Sequence, residues 1–277
     1  MEARNLDPAV VESFGREWQR FDQSGLSEQE LERLFESYFH IFPWERLPAG
    51  SVGFDLGCGS GRWARFVAPR VGELHCIDPS EALEVARRNL AAYSNCRFHR
   101  ASVDAIPLPD ASADFGYSVG VLHHVPDTQE GILDCVRKLK PGAPFLVYLY
   151  YAFDNRPWWF RSLWKVSDLT RRLISRSPHW LKSAFAEVVA VLLYFPLARL
   201  AAWRERRGGK VDHWPLSAYR QRSFYVMRND ALDRFGTRLE RRFTRAQIEA
   251  MMRAAGLDQI RFSDSVPFWC AVGFRRQ

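Results

Sequence analysis

Two carboxylates and three glycines carry the first chemical signal. Asp55 sits in an apolar run, Phe54-Asp55-Leu56, that leads into Gly57, Gly59 and Gly61. Asp78 closes a second run, Glu73–Asp78. Alternate glycines after a strand let the backbone come close to a ligand. A dinucleotide loop needs its third glycine where this chain has Arg62. Such a ligand would also bring a pyrophosphate up to the Asp55 carboxylate, and like charges repel. The pattern suits a ligand that is cationic at one end and has one carboxylate, which the N-terminus of the following helix can receive. An acid at Asp78 suits a pair of ribose hydroxyls.

S-adenosylmethionine has an ammonium, a sulfonium, one carboxylate, a ribose and no phosphate. It meets each of these requirements. A second signal is the pair His123-His124, just past an apolar run at 114–120. Histidine titrates near neutrality and serves as a general base, which a hydroxyl acceptor needs because its proton must leave. The alternative is that the pair closes its loop through backbone hydrogen bonds. A metal site is not expected, because adjacent histidines lack a paired Cys or carboxylate motif. Downstream, Tyr150, Tyr151, Asn155, Arg156 and Trp158 stand in an aromatic-rich stretch. They are the candidates for binding an acceptor; the other reading is that these rings form a small core of their own.

Strands and helices must position these residues. Residues 8–39 have apolar positions at helical spacing, and Ser27 with Glu30 has the form of a capping box. From 51 the chain alternates strand and helix about five times in 100 residues. The apolar runs are 51–56, 73–78, 96–101, 114–120 and 144–151. The glycine loop opens a helix through Ala68, Ser80 caps one running to about Tyr93, and 128–139 is amphipathic. Near-continuous apolar strands with crossover helices predict a parallel sheet covered on both faces. Its ligand belongs beyond the carboxyl ends of the strands. Alternation stops at 151. It resumes with a helix from Phe243, capped by Thr244 and ended by Gly256, and two antiparallel strands follow at 257–264 and 268–276.

The segments FDLGCGSG (54–61), CIDPS (76–80), SVDAIPLPDASADF (102–115), SVGVLHHVPD (118–127) and LKPGAPFLVYL (139–149) stand in order. Together they resemble the class I S-adenosylmethionine-dependent methyltransferases over about residues 50–150 and after 243. The resemblance implies an α/β fold, a seven-stranded, mostly parallel Rossmann-like sheet with an antiparallel last strand and helices on both faces. It implies methyl transfer from S-adenosylmethionine, leaving S-adenosylhomocysteine. Carried over by position, Asp55 and the Gly57 backbone hold the methionine amine, Gly59 and Gly61 give close backbone approach, and Asp78 binds the ribose. Cys58, Pro79, Ser118 and Val119 belong to the same cofactor set. Relatives often carry Gly-Asp where this chain has Ala101-Ser102. The adenine amine would then fall to Ser102 or Asp104, with the Val103 amide meeting the ring.

Charge divides the chain. The net charge is +7, yet residues 151–242 hold 19 Lys and Arg against 8 Asp and Glu, a surplus of 11, leaving the rest at −4. Six of the ten tryptophans lie in the same stretch. The division reads as an N-terminal helical cap (1–47), a cofactor-binding core (48–150), a helical insertion or lid for the acceptor (151–242) and a C-terminal completion of the core (243–277). The apolar segment 184–203 contains Glu187, Pro196 and Arg199, which make it a poor membrane span, and a basic flank follows it. It is compatible with a lid, a homodimer contact or a peripheral contact with an anionic membrane. Nucleic acid is disfavoured because no base-methylating motif or RNA-binding module is visible. The N-terminus lacks a basic-then-apolar leader and no cysteines have CxxC spacing, so a cytoplasmic enzyme with a small-molecule acceptor is expected. Phe14–Phe21 resembles a segment that precedes the core in some small-molecule methyltransferases and closes over the cofactor.

Overall fold

The computed structural model describes residues 5–211 and 214–277. The first four residues of the N-terminal segment, and two within the basic stretch, lie outside them. Two compact units divide the chain. The first comprises Met1–Gln23, Ser27–Ala152 and Leu239–Gln277; the second comprises Ser24–Leu26 and Phe153–Arg238.

The first unit is built on a seven-stranded sheet. Its strands are β1 (Val52–Leu56), β2 (Glu73–Ile77), β3 (Cys96–His99), β4 (Phe115–Val119), β5 (Pro144–Tyr148), β6 (Leu257–Phe262) and β7 (Ala271–Arg275), in the order β3-β2-β1-β4-β5-β7-β6. β7 runs antiparallel to both of its neighbours, and the pairings among β1 to β5 are parallel. Strand order therefore reverses between β1 and β4, and the carboxyl ends of β1 to β5 share one edge. The helices of this unit are α1 (Pro8–Arg20), α2 (Glu28–Phe39), α3 (Ala64–Val67), α4 (Ala82–Asn89), α5 (Thr128–Lys138) and, late in the chain, Arg245–Ala254.

Packing explains the register. Phe54 pairs with Gly116, and Gly53 with Phe115. A Cβ on Gly116 would meet the Phe54 ring at 2.3 Å, and one on Gly53 would meet the Phe115 ring at 2.2 Å. Each ring lies over a glycine of the neighbouring strand, which leaves no room for a side chain there. One core gathers Phe54, Leu56, Ile132, Val136, Phe145 and Ile248.

Two local expectations need correction. α4 is preceded by Glu81, not Ser80, at its N-cap, and it ends at Asn89 rather than near Tyr93. Ser80 Oγ still accepts from the Ala82 amide at 3.2 Å, while the Asn89 amide turns away to Ser60 O at 2.9 Å and Asp22 O at 3.0 Å. The helix after the glycine loop is also short: turns occupy Ser60–Trp63, and α3 has four residues.

The second unit is helical. It contains α6 (Trp158–Ile174), α7 (His179–Val189), a π-helical stretch (Ala190–Tyr194), α8 (Phe195–Arg206) and α9 (Phe224–Gly236); the helix Arg245–Ala254 of the first unit is α10. α7 packs along α9, with Phe185 against Phe235 at 5.3 Å and Glu187 paired to Arg228 at 2.7 Å. Asp168 is buried among Arg171, Arg172 and Arg234.

Candidate active site

The carboxyl edge of the sheet gathers the cofactor candidates. Gly57 follows β1 with φ +75°, and a Cβ there would meet the Val121 side chain at 2.3 Å. The Gly57 and Cys58 amides both donate to Ile77 O, at 2.7 and 3.1 Å. The glycine loop is thereby stitched to the end of β2. The Gly59 amide donates to Asp78 Oδ2 at 2.9 Å. Asp78 Oδ1 accepts from the Ser80 amide at 2.8 Å and from Ser80 Oγ at 2.6 Å. Burial raises the Asp78 carboxyl above its ordinary range, although these donors work against the shift. Three donors leave acceptor capacity on a carboxylate that has about four lone-pair sites. Pro79 holds the turn between Asp78 and Ser80.

Asp55 is the unusual group. It is buried on β1, level with Tyr117 of β4 and Cys76 of β2. Burial pushes its carboxyl well above the ordinary value of 3.8; Tyr117 offsets part of this and the Asp78 charge adds to it. Neither carboxylate oxygen, nor the Tyr117 hydroxyl, completes a hydrogen bond of good geometry. A buried carboxylate short of hydrogen-bond partners costs about 1–3 kcal/mol or more. An ammonium would relieve that cost, so the residues present fit S-adenosylmethionine at its amino-acid end.

At the adenine end, the Ser102 hydroxyl donates to Asp104 Oδ1, and the Asn5 amide reaches Asp104 Oδ2 at 3.4 Å. The two adenine candidates are therefore coupled to each other. Val103 is buried in the core beside Ile106. Ser118 is fully buried and donates to Leu56 O at 3.0 Å, which ties β4 to β1; Val119 ends β4 at the same edge.

Sequence reading named Phe14–Phe21 but not its contacts. α1 crosses the carboxyl edge. Its Phe14 ring lies 4.9 Å from His124, and a Cβ on Gly15 would meet the Glu81 amide at 3.4 Å. A Cβ on Gly59 would meet the Trp18 indole nitrogen at 3.0 Å. The Arg62 guanidinium, in the place of the missing third glycine, lies over both Trp18 and Trp63, at 5.3 and 4.2 Å. Asn5 anchors the start of this segment, exchanging two 2.7 Å hydrogen bonds with the Asp127 backbone.

His123 and His124 occupy different states. His123 is fully buried and stacks on Tyr150 at 3.8 Å, with neither ring nitrogen hydrogen-bonded. Burial holds its imidazole well below the ordinary 6.5, and His124 and Arg242 push the same way. It is neutral at pH 7. The His124 Nδ1 lies 2.6 Å from Leu239 O. A carbonyl only accepts, so Nδ1 carries a proton; Nε2 is buried. Arg242 is a residue the sequence did not single out. Its guanidinium bonds Glu240 at 2.8 Å and lies 4.9 Å from the Tyr150 ring centre. It reaches this place because the Phe243 amide donates to Tyr150 O and the Ala152 amide to Phe243 O, both at 2.8 Å. Tyr148 and Tyr38 extend the aromatic cluster, 5.0 Å apart.

The acceptor candidates divide. Tyr150 and Tyr151 lie in the first unit, where Tyr151 packs on Phe268 at 5.6 Å. Asn155, Arg156 and Trp158 lie in the second, where Arg156 covers Phe160 at 5.5 Å and Trp158 is largely exposed. Among the described residues, no group of three or more His, Cys, Asp or Glu is arranged to hold a metal.

Comparison with known proteins identifies a domain over this region. Residues 54–147 match the family described as a methyltransferase domain. The chain is 33% identical over 128 residues to 27-O-demethylrifamycin SV methyltransferase of Amycolatopsis mediterranei, covering 44% of this chain and 46% of that one. It is 28% identical over 217 residues to malonyl-(acyl-carrier protein) O-methyltransferase of Enterobacter lignolyticus, covering 74% and 80%. The chain spans less than half the length of several curated relatives it matches. An O-methyltransferase family protein from Burkholderia thailandensis shares the fold, with a TM-score of 0.56 at 14% identity, covering 99% of this chain and 65% of that one. The methyltransferase domain at residues 54–147 and these likenesses support a class I S-adenosylmethionine-dependent methyltransferase, with S-adenosylmethionine as cofactor.

Proposed function

We propose that this protein transfers the methyl group of S-adenosylmethionine to an oxygen or nitrogen atom of a small-molecule acceptor, with oxygen favoured. The observation that carries the reading is the buried Asp55 carboxylate, with only Tyr117 to offset its burial, beside a glycine loop stitched to Asp78. In this reading Asp55 and the Gly57 carbonyl receive the ammonium, since the Gly57 amide is already committed to Ile77. Asp78 takes the ribose hydroxyls with its remaining acceptor capacity. Asp104, oriented by Ser102, takes the adenine amine. Trp18 and Phe14 exclude water from the edge. When bound, the cofactor supplies a methyl group on an already electrophilic sulfonium, so placement of the acceptor can supply much of the rate.

His124 is the better base of the pair. Its Nδ1 is bonded to Leu239 O, which assigns the base role to Nε2, itself a buried atom. His123 stays neutral and serves as a wall for Tyr150. Oxygen is also the acceptor atom in the names of the rifamycin and malonyl enzymes to which the chain is similar. Tyr150 and Tyr151 bind the acceptor in this proposal, and Asn155, Arg156 and Trp158 are retained as further acceptor residues of the second unit.

Titration calorimetry with S-adenosylhomocysteine and NADH tests the cofactor. Micromolar binding of the sulfur nucleoside, lost in Asp78→Ala, is the expected result. Binding of NADH alone would overturn the reading. Once an acceptor is found, His124→Ala should lower kcat about 100-fold or more with cofactor affinity unchanged. An equal loss for His123→Ala, with a matching drop in stability, would assign both histidines to structure.

A further inference from the structure

We propose that the second unit docks on the surface of an anionic lipid bilayer through the exposed faces of α6 and of the continuous helix His179–Arg206. Among the described residues, fifteen of the sixteen exposed large apolar side chains lie in this unit. On α6 Trp158 is exposed, and so are Trp159, Leu163, Val166, Leu169 and Leu173. From Trp159 on, their spacing of three and four residues makes one stripe. The α7–α8 helix repeats the arrangement. Trp180, Val188, Leu192, Phe195 and Trp203 are exposed, while Ala186, Ala190, Tyr194 and Ala198 are buried. A helix on a water-facing surface turns its bulky apolar residues inward. Here the inner face is mostly alanine, with Val189 and Tyr194, and most of the bulky apolar residues face outward.

Charge selects the occupant. Arg161, Lys165 and Arg176 border the α6 stripe, and Arg204, Arg206 and Lys210 close the other helix. A second copy of the chain would set a surplus of 11 positive charges against an equal surplus. An anionic headgroup layer neutralises it instead. Exposed tryptophans near both ends of the longer helix suit the boundary between acyl chains and headgroups, as does the Arg207 guanidinium 4.1 Å from the Trp203 ring centre. The helix is long and apolar enough to cross a membrane. Its inner face, however, carries the Glu187–Arg228 pair and packs on α9, so it lies in the interface rather than spanning it.

Vesicle flotation of the full chain tests the proposal. The probes are phosphatidylcholine vesicles with and without phosphatidylglycerol. The protein should float with the anionic vesicles at least about tenfold more than with the neutral ones, and lose that advantage as salt shortens electrostatic reach. Its tryptophan emission should shift to the blue on binding. Val188→Glu with Leu192→Glu, both at exposed positions, should abolish flotation and leave circular dichroism and S-adenosylhomocysteine affinity unchanged. Absence of flotation would overturn the proposal, as would flotation that the double variant keeps. A dimer in sedimentation velocity that the variant dissolves, with no vesicle binding, would reassign the face to a second copy. The nucleoside titration separates these outcomes from failure of the methyl-transfer reading, on which this proposal does not depend.

Discussion

Asp55 concentrates the tension between stability and function. Its carboxyl is raised by burial, so folding favours the protonated form. The resulting contribution to the stability of the cofactor-free protein is full below the ordinary value of 3.8 and is lost as pH rises through the higher folded value. Cofactor binding has the opposite sign, because an ammonium selects the carboxylate. Affinity should therefore fall with falling pH, starting above the ordinary carboxylate range, and calorimetry in buffers of different ionisation enthalpy should detect proton release on binding. Asp55→Asn keeps the shape and removes the charge. It should leave the melting temperature of the free protein unchanged or raised while weakening S-adenosylhomocysteine about tenfold or more. A variant that melts lower and binds normally would assign Asp55 to the fold alone. The histidines make a related point: identical neighbours in sequence differ because one ring is enclosed and the other is hydrogen-bonded to a carbonyl.

Among the elements, α1 and α6 carry the sharpest expectations. α1 covers the glycine loop through Trp18, a contact that the loop's lack of a side chain at Gly59 permits. Trp18→Ala should speed cofactor dissociation in stopped-flow measurements and change urea stability by less than about 1 kcal/mol beyond its lost packing. Unchanged dissociation would remove α1 from the site. In α6, the buried Asp168 accepts from Arg171 at 2.8 Å and Arg172 at 2.9 Å. Burial opposes its charge, but the arginines outweigh it and hold its carboxyl below the ordinary 3.8. A lowered folded value stabilises above the ordinary value and is lost as pH falls through the folded one. Asp168→Asn leaves buried guanidinium groups short of a partner and should cost the helical unit about 3 kcal/mol in denaturation at neutral pH. The difference from wild type should shrink in acid.

Over the whole molecule, charge is segregated by chain segment rather than spread. A surplus of 11 in residues 151–242 against −4 elsewhere predicts adsorption to polyanions with steep salt dependence and no preference for sequence. Filter binding of two unrelated RNAs of equal length should give equal affinities that collapse together as salt rises. A strong preference for one would bring back a nucleic-acid acceptor.

The sequence by itself determined the mostly parallel sheet and the class of cofactor. Those features rest on short-range patterns: apolar runs, alternate glycines and an acid at the end of each of two strands. The caps at Thr244 and Gly256 were legible for the same reason, because a helix end is decided within a few residues. Only the tertiary structure decided that Asp55 is buried level with Tyr117, that Asp104 is bonded to both Ser102 and Asn5, and that Arg242 lies over the Tyr150 ring. It also reduced the helix after the glycine loop to four residues. Most of these facts depend on contacts between segments as much as 99 residues apart in the chain, and on which groups burial strips of water. Composition marked residues 151–242 as basic and aromatic. It could not say which way the rings faced, because a helical stripe reads the same whether it turns toward a core or away from one.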